Sequence, residues 1–110
     1  MIVEDEALVA RRLRRLLVDI LGADRVEILW SPDLPDARRR LADGTRIDAL
    51  FLDLNLNGRD GFDLLSEAVA GRFETIVVSA HAERAIEAFE YGVLDFIAKP
   101  FGQIEKRRVG

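Results

Sequence analysis

The feature that most constrains this chain is a rhythm of short apolar runs that close on polar residues. Met1-Ile2-Val3 stops at Glu4-Asp5-Glu6, Ile47–Leu52 stops at Asp53, Thr75–Val78 stops at Ser79, and Leu94–Ala98 stops at Lys99-Pro100. Val26–Trp30 is a further run of the same kind. IDALFL (47–52) is apolar on nearly every residue, which marks a strand covered on both faces, as in a parallel sheet.

Stretches of helical period lie between the runs. Residues 7–22 put Val9, Leu13, Leu16, Leu17 and Ile20 on one face and Arg11, Arg12, Arg14, Arg15 and Asp19 on the other, with Gly22 as the stop. Ser31 and Pro32 are expected to cap and open a second helix that ends near Asp43-Gly44. Phe62–Ala70 and Ala82–Tyr91 follow, stopped by Gly71 and Gly92, and a short last helix is expected over Gln103–Arg108. Strand and helix thus alternate five times with short connections. This order requires right-handed crossovers and an α/β fold with a central parallel sheet between two helical layers. Such sheets bind ligands beyond the carboxyl ends of their strands. Here those ends carry Glu4, Asp5, Asp53, Ser79 and Lys99.

At 110 residues the chain has the size of one domain, spanning 1–110, with enough length for one real core. The absence of cysteine excludes a disulfide framework and a thiolate metal site. A net charge of -4 argues against a domain that itself binds nucleic acid. The basic clusters at Arg11–Arg12, Arg14–Arg15, Arg38–Arg40 and Lys106–Arg108 are read as solvated faces. No apolar run approaches the roughly 20 residues of a membrane span, and no signal peptide is visible ahead of the first acids. A cytoplasmic location is expected, with no membrane contact.

The loop DLNLNGRDG (53–61) raises a specific alternative. Asp53, Asn55, Asn57 and Gly58 fit the opening of a calcium loop, D-x-[DN]-x-[DN]-G. The bidentate Glu required at the twelfth position is replaced by Leu64, the eighth position is Asp60, and a strand enters where a helix should. The calcium reading fails, and Asp53 remains as a hard oxygen ligand in need of another task.

In the expected fold Glu4, Asp5 and Asp53 converge. Like charges this close raise at least one pKa unless a cation intervenes. Hard oxygens with open positions suit Mg²⁺, and the Asn55 main-chain carbonyl is a further candidate ligand. Taken singly, the acids are ordinary at the positive end of a helix, Asp53 is a turn residue, Ser79 an N-cap and Lys99 a surface cation. Taken together, four strand ends would have to assemble one constellation by chance.

The stretches IVEDE, FLDLNLNGRDGFDLL, IVVSAH and GVLDFIAKPF resemble the receiver domain of two-component response regulators, in the family's order and over essentially the whole chain. The stretch AIEAFEYGVLDFIAKPF looks most like receivers that precede LytTR-type DNA-binding domains. The resemblance implies a flavodoxin-like (βα)5 sandwich with a five-stranded parallel sheet in order 2-1-3-4-5. It implies Asp53 as phospho-acceptor, with Glu4, Asp5, Asp53 and the Asn55 carbonyl around Mg²⁺. Lys99 would contact the phosphoryl oxygens, Ser79 would hydrogen-bond to the phosphoryl group, and Phe96 would swing with Ser79. A cis bond is expected at Lys99-Pro100, and Asn55 and His81 fall at positions that tune phosphoryl lifetime. The implied partner is a sensor histidine kinase or phosphotransfer protein, with homodimerisation through the face of the fourth helix, fifth strand and fifth helix. Such a domain is a signalling module, catalysing at most its own phosphorylation and dephosphorylation.

The chain departs from the family at Asn57, where Pro is frequent, in its short first strand, and in its short basic last helix. No output domain is expected within it. Two other classes compete. One is a receiver-like binding module that works without phosphorylation. The other is a Mg²⁺-dependent phosphatase, which would need a second Asp where Asn55 stands.

Overall fold

A computed structural model describes residues 1–68 and 73–100 of the chain. The strands are β1 (Ile2–Val3), β2 (Trp30–Ser31), β3 (Ala49–Asp53), β4 (Asn55–Leu56), β5 (Arg59–Asp60), β6 (Glu74–Ser79) and β7 (Asp95–Ala98). The helices are α1 (Ala7–Leu21), α2 (Leu34–Ala42), α3 (Phe62–Ala68) and α4 (Ala85–Glu90), the last preceded by a 3₁₀ turn at Ala82–Arg84. Five strands form one parallel sheet in the order β2-β1-β3-β6-β7. Counted without the small β4–β5 hairpin, this is the expected flavodoxin-like order 2-1-3-4-5.

Side-chain alternation along the strands divides the core. Val3, Leu50, Leu52 and Val77 point to the larger layer, where Leu34, Ala37, Leu64, Leu65 and Ala88 of α2, α3 and α4 cover them. Ile2 and Val78 point to the other face, where Ala10 and Leu13 of α1 meet them and Leu17, Phe51 and Ile97 pack alongside. The strands are apolar on successive residues because each residue enters one of two buried layers.

The structure corrects the sequence expectations at several points. The second strand is a two-residue ladder, not Val26–Trp30. Among the described residues it pairs with β1, which is two residues long, and the Ile2 N–H donates to the Leu29 carbonyl at 2.7 Å just before the ladder. Ser31 is therefore a buried strand residue and not a helix cap. Asp33 caps α2 instead, accepting the Asp36 N–H at 2.9 Å, and the proline of the first turn is Pro35. Ile20 is 75% exposed, because the line of α1 nearest the sheet runs through Ala10, Leu13 and Leu17, and the small Ala10 makes the close approach. The fourth helix begins as the 3₁₀ turn and ends at Glu90.

Beyond Asp53 the chain folds into the β4–β5 hairpin. Asn55 pairs with Asp60 and Leu56 with Arg59, around Asn57 (φ 54°) and Gly58 (φ 79°). Two consecutive left-handed residues with the sequence Asn-Gly are the favoured connection for such a ribbon. The end of the third helix near Gly71 and the helix expected over Gln103–Arg108 lie outside the described residues.

Candidate phospho-acceptor site

Parallel register brings the strand ends together. Val3 of β1 is aligned with Leu52 of β3, and Asp53 with Val78 of β6, so Glu4, Asp53 and Ser79 emerge at one edge of the sheet. Ser79 is aligned with Ala98 of β7, which delivers Lys99 to the same edge. Glu4, Asp53 and Ser79 are all buried.

Lys99 is the hub. Its Nζ lies 2.9 Å from Glu4 Oε2, 3.2 Å from Glu4 Oε1 and 3.2 Å from Asp53 Oδ2. Burial alone would lower the Lys99 pKa. The Glu4 hydrogen bond and the charges of Asp53 and Glu4 outweigh it and hold the ammonium above the ordinary lysine value. Burial pushes the Glu4 carboxyl up to about 7, the Lys99 hydrogen bond pulls against that, and the Asp53 charge adds to the rise.

Backbone donors fix the remaining oxygens. Asp53 Oδ1 accepts the Asn55 N–H at 3.1 Å, and Glu4 Oε1 accepts the Glu6 N–H at 3.2 Å. Asp5 Oδ2 accepts the Asn57 N–H at 3.1 Å, tying the first acids to the tip of the hairpin. Ser79 Oγ accepts the His81 N–H at 3.0 Å, while the His81 ring is exposed and faces Glu83, with Nδ1 3.2 Å from Oε1. Trp30 caps the rim, its indole N–H donating to the Glu4 carbonyl at 2.8 Å. Carboxylate oxygens of Glu4, Asp5 and Glu6 lie within 4.8 Å of one another. Phe96 of β7 is half-buried against the larger core layer. The Lys99-Pro100 bond is cis, as expected.

The structure thus gathers Glu4, Asp53 and Lys99 into direct contact, with Ser79 on the neighbouring strand end, and leaves Asn55 and the His81 ring at the exposed margin. Sequence reasoning missed a second constellation. Arg84 Nη2 donates to Asp60 Oδ2 at 2.9 Å, its guanidinium carbon lies 4.2 Å above the Phe62 ring, and Phe62 stacks on Tyr91 at 5.1 Å between centroids. The Asn-Gly turn was a signal for placing Asp60 opposite Asn55. Nothing local could have brought Arg84 to it.

A buried acid at a strand end, in contact with a half-buried lysine and beside further acids, is the constellation that the sequence placed at the strand ends. The chain belongs to the response regulator receiver domain family, which matches residues 1–107. Among curated proteins it is similar to the sensory transduction protein LytT of Bacillus subtilis, 32% identical over 105 residues, covering 94% of this chain and 42% of that protein. It is also similar to the sensory transduction protein LytR of Streptococcus agalactiae, 31% identical with the same coverage. It therefore spans less than half the length of these relatives. A solved neighbour is the response regulatory domain of mrkE from Klebsiella pneumoniae, 31% identical with a TM-score of 0.76, covering 97% of this chain and 87% of that one.

Proposed function

We propose that Asp53 accepts a phosphoryl group from a sensor histidine kinase or phosphotransfer protein in a Mg²⁺-dependent reaction, and that the face of α4 and β7 responds. The observation that carries this reading is the Asp53 carboxylate, buried at the end of β3 with the Lys99 ammonium 3.2 Å away. In transfer from a phosphohistidine, the P–N bond breaks, a P–O bond forms to Asp53, and the imidazole leaves with a proton. A positioned carboxylate needs little further covalent chemistry, because phosphoryl transfer depends on alignment and charge neutralisation.

Lys99 already neutralises Asp53 and is within reach of a phosphoryl oxygen on it. The donor set fits a magnesium ion. Glu4, Asp5, Asp53 and the Asn55 main-chain carbonyl are hard oxygens, and the Glu4 and Asp53 carboxylates share the single Lys99 ammonium. When bound, such an ion would supply further charge neutralisation on the equatorial phosphoryl oxygens. Ser79 Oγ uses a lone pair on the His81 N–H, which leaves its hydroxyl hydrogen for an incoming phosphoryl oxygen. Drawing Ser79 toward Asp53 would vacate space beside Phe96 of the adjacent strand, turning a local charge change into a movement of the β7 face. Ile86, Phe89 and Leu94 are exposed there and supply an apolar face for a second copy.

The test is incubation with acetyl phosphate and Mg²⁺, followed by intact mass. The wild type should gain one phosphoryl group and Asp53→Ala none. No gain on the wild type, or equal gain on the variant, overturns the reading and leaves a phosphorylation-independent binding module.

A further inference from the structure

Asp60 and Arg84 sit beside a recess of about 280 Å³ lined also by Asn55, Arg59 and His81. The backbone N–H of Asn55 holds Asp53 Oδ1, and that of His81 holds Ser79 Oγ. The recess is therefore lined by the two residues whose backbone N–H groups hold the acceptor and the residue expected to answer it. Its volume is enough for several waters.

Two loops form its walls. The β4–β5 hairpin follows Asp53 directly, and the 3₁₀ turn follows Ser79 after two residues. The Asp60–Arg84 pair bridges them. Asp60 is held in place, since its other oxygen accepts the Phe62 N–H at 2.9 Å. Arg84 is held as well, since its guanidinium rests on Phe62, which is braced in turn by Tyr91 beyond α4. A guanidinium with a fixed acceptor on one side and an aromatic face on the other is more ordered than an ordinary surface arginine.

We propose that Arg84 is a positioning residue for the acceptor chemistry, holding the loop after Ser79 against the hairpin after Asp53 and so limiting access of water to the phosphorylated Asp53. This rests on the phospho-acceptor reading. In hydrolysis a water oxygen bonds to phosphorus and the bond from phosphorus to the Asp53 oxygen breaks. Asp53 leaves as carboxylate, and the water's two hydrogens depart with the phosphate as H₂PO₄⁻. With the bridge intact, the recess has fixed walls. Without it, the two loops separate independently and water reaches phosphorus more often.

The experiment follows decay of the phosphorylated chain by intact mass after removal of acetyl phosphate, for the wild type, R84Q, D60N, the double variant and R84K. R84Q and D60N should each shorten the half-life about threefold, the factor that matches the coupling of a partly exposed ion pair. The double variant should be no faster than the worse single one, and R84K, which keeps the charge but not the planar group that rests on Phe62, should recover only part of the lifetime. D33A, which loses a helix cap on α2, serves as a stability control and should decay like the wild type. Unchanged half-lives in R84Q and D60N overturn the proposal, as does equal shortening in D33A or multiplication of the two single effects. A wild type that takes up no phosphoryl group overturns the phospho-acceptor reading and this proposal with it.

Discussion

Lys99 and Glu4 form a nearly buried ion pair, and Asp53 shares the same ammonium. Removing the lysine leaves two buried carboxylates facing each other. Lys99→Met should therefore destabilise the fold at pH 7 by about 3 kcal/mol, the lower end for a broken buried pair. Urea midpoints of the two proteins at pH 7 check this. Glu4 has its own pH signature. Its folded pKa of about 7 stands above the ordinary 4.5, so the folded chain holds that proton more tightly than the unfolded one. Stability then falls as pH rises from about 4.5 to 7 and levels off above. Glu4→Gln should flatten that part of the profile, measured as urea midpoints at pH 5, 6 and 7 in EDTA. Equal slopes in the two proteins would show that Glu4 titrates normally.

At the scale of elements, the hairpin after Asp53 is bound tightly to the acceptor strand. The Gly61 N–H donates to the Leu54 carbonyl at 2.8 Å. A Cβ on Gly61 would collide with the Asp53 carbonyl oxygen and lie 2.9 Å from Leu54 Cα. Both obstacles are backbone, which cannot turn aside. Gly61→Ala should cost about 1–3 kcal/mol and also slow phosphoryl uptake, because the displaced backbone is that of Asp53. Asp33→Ala should cost about 1 kcal/mol and leave uptake unchanged, and the contrast separates a site effect from a stability effect. Elements whose signals are local were legible in the sequence. Apolar runs ending at Asp53, Ser79 and Lys99 placed the strands to within two residues, and Asn57-Gly58 announced a turn. Elements set by their neighbours were not. Ser31 has the chemistry of a cap, but pairing with Val3 draws it into the sheet, and Asp33 takes the role.

For the whole molecule, the sheet order follows from strand–helix alternation and crossover handedness, while the pocket needs the register as well. Glu4 and Lys99 are 95 residues apart, and only the parallel alignment through β1, β3, β6 and β7 makes them neighbours. The Asp60–Arg84 bridge was invisible in the sequence for the same reason, since neither residue's local pattern points to the other. Among the described residues no helix is long and apolar enough to cross a membrane. The apolar side chains left outside the core include Ile86, Phe89 and Leu94 around α4 and β7. If that face is the output of the switch, phosphorylation should raise self-association in sedimentation velocity. Ile86→Ser with Phe89→Ser should abolish the rise while leaving phosphoryl uptake intact.

Trp30 is the only tryptophan of the chain, 41% exposed at the sheet edge, with its indole N–H on the carbonyl of Glu4. The fluorophore is therefore wired to the backbone that carries the first acid of the pocket. Titrating the unlabelled protein with Mg²⁺ should change its emission saturably, and Asp5→Asn should move the midpoint to higher concentration. The molecule carries its own optical gauge of pocket occupancy, readable before any phosphoryl donor is added.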